Sequence, residues 1–200
     1  LVKRLMDVLL CAMGGVVLVP LGLLPALAIR LDSRGPVFYR QRRIGRNGRE
    51  IRIFKFRTMV DKADMVLREV LEHDPELRAE WEKDHKLKHD PRITRVGRIL
   101  RKVSLDELPQ LLNVVIGDMS LVGPRPIVQS EVGKYGQIFE EYCMVKPGIT
   151  GLWQVSGRNN TTYQERVNFD QYYISNWSVW MDLWILIKTV PVVIFGYGAY

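Results

Sequence analysis

Two adjacent carboxylates, Asp106 and Glu107, are the residues of this sequence best suited to chemistry. They lie just ahead of an apolar stretch that predicts a helix. Neighbouring carboxylates at the mouth of a helix can hold Mg²⁺, which prefers oxygen ligands and often shares them with substrate phosphates. The helix dipole favours their ionised form, so one of the two could also act as a nucleophile.

The same segment also has a purely structural interpretation. Ser104 followed by Glu107 fits a capping box, with the serine as N-cap and the glutamate at the third helical position. Pro109 would then occupy the fifth helical position, where its ring crowds the preceding turn. A helix beginning at Asp106 suits this proline better. From these residues alone, both interpretations stay open.

Basic residues on either side of the pair could contact phosphate. Arg101 precedes it, and Arg125 follows in the segment Gly123-Pro-Arg-Pro126. The composition of that segment predicts either a rigid loop that fixes one guanidinium or a plain turn. Guanidinium groups bind phosphate oxygens and can stabilise the charge of a phosphoryl transfer.

A second loop region offers further donors. Residues 146–151 predict a turn that leads into a short strand at 153–155. The loop Gly157, Arg158 and Asn159 follows, ahead of a helix that starts near Thr161 or Thr162. Its arginine and asparagine suit diphosphate or nucleotide recognition, although turn preferences alone predict an ordinary loop.

A β-hairpin is predicted over residues 36–59, because two aromatic and β-branched arms flank Asn47-Gly48. Its second arm contains Lys55 and Arg57, which are candidates for binding phosphate or nucleotide. Ten basic and two acidic residues lie between Arg30 and Arg57, within a chain of net charge +7. Nucleic acid would explain such a hairpin in isolation. Because the hairpin follows an apolar segment, binding to anionic lipid headgroups and phosphates explains its positive charge with fewer assumptions.

That apolar segment is the uncharged run of 22 residues from Val8 to Ile29. It is long enough to span a bilayer as a helix, but Pro20 near its middle favours a sharp bend. Basic residues flank both ends, whereas a spanning helix has its basic excess on one side. We therefore favour a re-entrant helix broken at Pro20 over a spanning helix or a buried core helix.

A second amphipathic stretch, residues 176–195, closes the chain. Trp177, Trp180 and Trp184 recur at spacings of three and four, which places them on one helical face. Tryptophan prefers the headgroup level, and Asp182 and Lys188 argue against a full span. An interfacial helix is favoured slightly over an ordinary core helix.

The remaining sequence predicts an α+β fold that is mostly helical. Helices are expected over 61–88, with a new helix starting at Asp74-Pro75, and over 93–103. Apolar residues make up 47% of the 200, enough for a real core and against disorder. Two cysteines cannot form a disulfide framework, which indicates a reducing compartment.

Several ordered motifs together resemble the bacterial sugar transferase family, the monotopic phosphoglycosyl transferases. The motifs, which extend over nearly all of the chain, are Lys3-Arg-Leu-Met-Asp7, Phe54-Lys-Phe-Arg-Thr-Met59, Ser104-Leu-Asp-Glu-Leu108, Gly117-Asp-Met-Ser-Leu-Val-Gly-Pro-Arg-Pro126, Lys146-Pro-Gly-Ile-Thr-Gly151 and Gly157-Arg-Asn159.

The resemblance implies transfer of a sugar 1-phosphate from a UDP-sugar to undecaprenyl phosphate, with release of UMP, in the synthesis of O-antigen, capsule or exopolysaccharide. Asp106 is then the expected nucleophile of a phosphosugar-enzyme intermediate. Glu107 is expected to help hold Mg²⁺, so both carboxylates are candidate metal ligands. A membrane helix that turns back at a proline maps to Pro20, although Val19 stands where some relatives have serine.

The resemblance also implies an organisation and a location. We expect a re-entrant helix over residues 1–31 and a catalytic domain over 32–200, on the cytoplasmic face of the bacterial inner membrane. Residues 72–92 resemble an insertion in undecaprenyl-phosphate galactose phosphotransferases, so galactose is the leading sugar and glucose the alternative. Those larger members have additional N-terminal regions, which we expect ahead of Leu1. A homodimer is a further expectation.

Two other functions remain as alternatives. One is a catalytically silent, membrane-bound interaction module with the same fold, against which the intact Asp106, Glu107, Arg125 and Arg158 argue. The other is a membrane-anchored nucleic-acid binder, which rests on charge alone and is not expected.

Overall fold

A computed structural model describes residues 1–84, 87, 89–157 and 161–195 of the chain. Helices dominate over these residues, and the strands are short. The helices are α1 (Val2–Asp32), α2 (Ala63–His73), α3 (Pro75–Asp84), α4 (Arg95–Lys102), α5 (Gln110–Ile116), α6 (Val132–Tyr135), α7 (Ile138–Met144), α8 (Leu152–Ser156), α9 (Tyr163–Ser175) and α10 (Val179–Phe195). The strands are β1 (Phe38–Ile44), β2 (Glu50–Phe56), β3 (Ser120–Val122) and β4 (Gly148–Thr150).

The predicted hairpin is confirmed. β1 and β2 pair antiparallel, with Phe38 opposite Phe56 and Ile44 opposite Glu50. A single 3₁₀ turn joins them, and both Asn47 and Gly48 have positive φ there, 59° and 68°. This is the backbone conformation that the Asn-Gly pair tolerates best.

The strand predicted at residues 153–155 is wrong. The strand lies earlier, at β4, which pairs parallel to β3 with Ser120 opposite Gly148. The chain then enters α8, in which Leu152 and Val155 pack against one core cluster. Their spacing of three residues is helical, and a strand would have placed them on opposite faces.

Helix boundaries follow local signals. α3 begins at Pro75 after Asp74, whose Oδ1 accepts hydrogen bonds from the Glu76 and Leu77 N–H groups (both 3.0 Å). Thr162 caps α9 and forms a capping box with Glu165, so the helix begins after the second of the two threonines expected from the sequence.

The long N-terminal helix α1 contacts the rest of the protein near both of its ends. Asp7 and Cys11 are buried near the start, and Pro25 and Ile29 near the end, whereas no residue from 12 to 24 is buried. Cys11 belongs to a core cluster with Ile53, Val114 and Met119. Ile29 belongs to another cluster with Phe56 and Leu100.

The opposite face of α1 is exposed and apolar, and the helix is long and apolar enough to cross a membrane. Exposed residues on it are Leu5, Leu9, Met13, Val16, Val17, Val19, Leu21, Leu23, Leu24, Leu27 and Leu31. The helix runs through Pro20 and Pro25 as one element. The break expected at Pro20 is therefore not seen, and the re-entrant topology stays a prediction.

Candidate functional site

The two carboxylates lie on a tight turn directly before α5. Ser104 has a φ of 55°, Leu105–Glu107 form a single 3₁₀ turn, and α5 begins after Pro109. The capping box expected at Ser104 is absent, because its side chain makes no capping hydrogen bond. Pro109 explains this, since its ring is tolerated at a helix start but crowds a helix interior. The turn leaves Asp106 and Glu107 side by side at the mouth of α5.

Glu107 is the better-paired carboxylate. Its Oε1 accepts hydrogen bonds from Lys55 Nζ (2.8 Å) and from Arg125 Nη2 (3.0 Å). Burial disfavours its ionisation, but Arg125 and Lys55 outweigh burial and lower the pKa of Glu107 to about 2. Glu107 is thus an anion that holds two cations of the site in place.

Asp106 lies farther from Lys55 than Glu107 does. Its Oδ2 lies 3.9 Å from Lys55 Nζ. Burial raises the pKa of Asp106, and the Glu107 charge adds to the effect, while Lys55, Arg101 and Arg125 oppose it. A further positive charge beside Asp106 would favour its ionised, nucleophilic form.

The cations of the site come from three separate segments. Lys55 extends from β2, Arg125 from the loop after β3, and Arg101 from the last turn of α4. Arg101 Nε donates to Thr58 Oγ1 (2.9 Å). Burial lowers the pKa of Arg101, and the charge of Asp106 offsets this only in part. The structure therefore brings together three of the basic residues expected from the sequence.

Arg57 does not join them. Its Nη2 donates to the carbonyl and hydroxyl oxygens of Ser33 (2.7 and 2.9 Å), at the C-terminal end of α1. Because β2 ends at Phe56, the strand alternation that would align Arg57 with Lys55 is lost. Arg57 therefore fastens the end of α1 to the hairpin.

The loop that presents Arg125 is held by close backbone packing, which favours the rigid-loop interpretation. Gly123 N–H donates to the Thr150 carbonyl (2.9 Å), and Gly148 N–H to the Pro124 carbonyl (2.8 Å). A Cβ at Gly148 would lie 2.1 Å from Gly123 N, so only glycine permits this approach.

Asn113 is a positioning residue that the sequence did not reveal. It is fully buried on α5. Its Oδ1 accepts from the Phe54 N–H (2.9 Å) and its Nδ2 donates to the Arg52 carbonyl (2.8 Å). It thereby joins α5, which follows the carboxylates, to β2, which holds Lys55. An asparagine in an apolar helix was the available signal, since a buried amide needs such partners.

The second predicted loop lies only partly within the described residues. Gly157 follows α8, and a Cβ there would lie 2.5 Å from Thr161 Cγ2. Arg158 and Asn159 lie outside the described residues.

The tryptophans of the C-terminal region are partly exposed. Trp180 and Trp184 lie on α10 and are 79% and 46% exposed, whereas Ile185 on the same helix is fully buried. Trp177 precedes the helix, and its Nε1 donates to Asp182 Oδ2 (3.1 Å). The helix thus has both a core face and an exposed aromatic face.

Asp182 does not face solvent. It is fully buried and also accepts hydrogen bonds from Lys3 Nζ (2.5 Å) and the Tyr173 hydroxyl (2.7 Å). Since Lys3 is on the first turn of α1, this network joins the N-terminus of α1 to α10.

The donor set fits Mg²⁺ shared with a substrate. In the described part of the chain, no three His, Cys, Asp or Glu side chains cluster as a metal site. Mg²⁺ is commonly bound by one or two carboxylates together with substrate phosphates and water, which is what Asp106 and Glu107 can offer.

Known proteins resemble this chain over most of its length. The family model described as bacterial sugar transferase matches residues 1–196. An undecaprenyl-phosphate galactose phosphotransferase of Salmonella typhimurium is 52% identical over 198 residues, which cover 99% of this chain and 41% of that protein. The exopolysaccharide production protein ExoY of Sinorhizobium fredii is 48% identical over 99% of this chain and 88% of its own length.

A UDP-glucose:undecaprenyl-phosphate glucose-1-phosphate transferase of Escherichia coli is 40% identical over 95% of this chain and 39% of its own length. The chain thus spans about two-fifths of the longer relatives it matches. The match across residues 1–196 assigns this chain to the bacterial sugar transferase family.

Proposed function

We propose that this protein transfers a sugar 1-phosphate from a UDP-sugar to undecaprenyl phosphate, giving undecaprenyl-diphosphate-sugar and UMP. The observation that supports this best is the acidic pair surrounded by Lys55, Arg101 and Arg125. A nucleophilic carboxylate beside several cations suits attack on a phosphate of high negative charge. The names of the relatives describe the same class of reaction.

In the first step, an Asp106 carboxylate oxygen attacks the sugar-linked phosphorus of the donor. The bond from that phosphorus to the bridging oxygen breaks, and the electron pair leaves on the phosphate of UMP. Lys55 and Arg125 both bind Glu107 Oε1 and would contact the oxygens of the reacting phosphate. Arg101 approaches on the Asp106 side, held by Thr58.

In the second step, a phosphate oxygen of undecaprenyl phosphate attacks the phosphorus of the phosphosugar-enzyme. The bond to Asp106 breaks and the carboxylate is regenerated, so no other reactant is needed. Mg²⁺ held by Asp106 and Glu107 would neutralise phosphate charge and favour the ionised aspartate. Glu107 also keeps Lys55 and Arg125 in position through its two hydrogen bonds.

We further propose that α1 enters the membrane and returns to the same side, with its apex near Pro20. Its first turns contact β3, α5 and α10, and its last turns contact β2 and α4. A helix held at both ends by one folded unit cannot have its ends on opposite sides of a bilayer. The apolar face of α1 and the exposed Trp180 and Trp184 supply the membrane contact. The folded unit then lies on the cytoplasmic face of the bacterial inner membrane.

Galactose is the sugar we propose, with glucose as the alternative. The relative named for galactose is 52% identical to this chain and the one named for glucose is 40% identical. O-antigen, capsule or exopolysaccharide synthesis would use the lipid-linked product.

The decisive experiment measures UMP release and adduct formation by the membrane-bound protein. With Mg²⁺ and a panel of UDP-sugars, the wild-type protein should form a phosphosugar adduct in the absence of undecaprenyl phosphate. Asp106→Asn should abolish the adduct, whereas the exposed acid Asp64→Asn should leave it unchanged. An undiminished adduct in Asp106→Asn contradicts the nucleophile. Absence of UMP release from every UDP-sugar would favour a silent interaction module.

A further inference from the structure

Arg43, at the end of β1, lies beside the dyad and was not singled out in the sequence. It lines the same small cavity as Lys55, Glu107 and Arg125. Backbone pairing fixes this proximity, because Ile44 N–H donates to the carbonyl of Ile127 (2.8 Å), two residues after Arg125. The side chain of Arg43 is largely enclosed, with 15% of its surface exposed.

A second arginine, Arg166 on α9, lies beyond Arg43. Glu131 stands between them: Arg43 Nη1 is 3.7 Å from one carboxylate oxygen, and Arg166 Nη1 is 3.6 Å from the other. Arg166 also stacks over the rings of Trp153 and Tyr163, with its guanidinium 5.0 and 5.1 Å from their centroids. Both arginines are thus held in place, but neither is within hydrogen-bond distance of Glu131.

Both guanidinium groups have hydrogen-bond donors to spare. Within the described residues, the buried Nε of Arg43 and the buried Nε and Nη2 of Arg166 have no hydrogen-bond partner. Buried donors without partners are uncommon in folded proteins and call for an explanation. Lys55 and Arg125, by contrast, are already hydrogen-bonded to Glu107.

Electrostatics point in the same direction. Burial lowers the pKa of Arg43, and the neighbouring Arg125 and Arg166 charges lower it further, only partly offset by Glu131 and Glu107. An additional anion at this place would relieve the repulsion among the three arginines.

We propose that Arg43 and Arg166 bind the phosphate of the nucleoside monophosphate half of the donor, the half that leaves as UMP. This inference rests on the proposed function. The sugar-linked phosphate must reach Asp106, where Lys55 and Arg125 meet it. The second phosphate of the donor then extends past Arg125 to Arg43 and Arg166, which stabilise the charge that it gains when the bridging bond breaks.

The location favours the donor over the lipid acceptor. The core cluster behind Arg43 and Arg166 consists of Ile44, Ile127, Tyr135, Tyr142 and Val167, and none of these residues belongs to α1. The two core clusters that include α1 contain no residue adjacent in sequence to Arg43 or Arg166. Arg43 and Arg166 therefore adjoin the part of the core to which α1 contributes no residue, which favours a water-soluble nucleotide over a lipid as their ligand.

The test is UMP binding to the purified full chain, measured by calorimetric titration of Arg43→Gln and Arg166→Gln. Loss of a charge-assisted hydrogen bond should weaken UMP binding by about tenfold to a hundredfold in each variant. Arg42→Gln is the matched control, since Arg42 is the adjacent residue of β1 and is 72% exposed. Thermal melting checks folding, and Arg166→Lys, which keeps the charge, covers the case in which Arg166→Gln is unstable.

Steady-state kinetics separate the two phosphate sources. We expect Arg43→Gln to raise the KM for the UDP-sugar and to leave the KM for undecaprenyl phosphate unchanged. Wild-type affinity for UMP in Arg43→Gln overturns the inference, as does a change confined to the undecaprenyl phosphate KM. Failure of the wild-type protein to turn over any UDP-sugar would overturn the proposed function instead, and the UMP titration would still decide the role of Arg43.

Discussion

Replacing Asp7 with alanine tests whether the first turns of α1 lie on the same side of the membrane as the active site. Asp7 is buried, and its carboxylate accepts hydrogen bonds from the Ser120 hydroxyl (3.0 and 2.9 Å to its two oxygens) and from the Leu121 N–H (3.0 Å). These contacts link α1 to β3, directly before the loop that presents Arg125.

The expected cost follows from the donors left without a partner. Each unsatisfied buried donor costs about 1–3 kcal/mol, so Asp7→Ala should lower the free energy of unfolding by about 2–6 kcal/mol. Ser120→Ala removes one donor and leaves the Leu121 N–H bonded to Asp7, so its cost should be smaller. In the double variant the two costs should overlap, with a coupling energy of about 1–2 kcal/mol.

Thermal unfolding in detergent micelles and in lipid nanodiscs measures these differences. For a chain of this size, 1 kcal/mol corresponds to about 2–4 °C in Tm. Asp64→Ala, at an exposed site on α2, serves as the control and should change stability by less than about 1 kcal/mol. Additive effects of Asp7→Ala and Ser120→Ala in nanodiscs would refute the contact. The N-terminus of α1 would then lie elsewhere in the membrane-bound protein, and a spanning helix would regain support.

Two further predictions concern the stability of the folded unit. Burial raises the pKa of Asp170 to about 7, although the hydrogen bond donated by Tyr135 opposes this shift. Between pH 3.8, the ordinary pKa of aspartate, and pH 7, the folded protein therefore keeps a proton on Asp170 that the unfolded chain has lost. The free energy of unfolding should therefore fall by up to about 4 kcal/mol as pH rises from 4 to above 7, and Asp170→Asn should remove this dependence. If the Tm values of the wild-type protein and of Asp170→Asn decline in parallel with pH, this prediction is contradicted. Gly97→Ala should destabilise α4 because the added Cβ would lie 2.1 Å from the Thr58 carbonyl oxygen, whereas Gly133→Ala, with nothing within 4 Å, should be neutral. Chemical denaturation compares the two glycine variants, and equal midpoints would show that α4 does not pack this closely.

Local sequence signals predicted many of the elements. Asn47-Gly48 specified the hairpin turn, Asp74-Pro75 the start of α3, and Thr161-Thr162 the approximate start of α9. Each of these signals acts through backbone preferences and hydrogen bonds within a few residues, so no distant part of the chain is needed to read it.

Where the predictions were wrong, a neighbouring constraint outweighed the local pattern. Pro109 prevented the capping box at Ser104, and the pairing of Gly148 with β3 moved the expected strand and left residues 152–156 to form α8. Because β2 ends at Phe56, the structure places Arg57 against Ser33 and does not bring it together with Lys55.

The sequence by itself determined the acidic pair, the apolar N-terminal segment and the family to which their motifs belong. Only the tertiary structure decided which cations surround Glu107, how Asn113 joins α5 to β2, and that Arg43 lies beside Arg125. It also joined Asp7 to Ser120 and Lys3 to Asp182, across 113 and 179 residues of sequence. Such contacts form between side chains whose separation depends on the packing of several elements at once, and no periodicity or spacing along the chain encodes that packing.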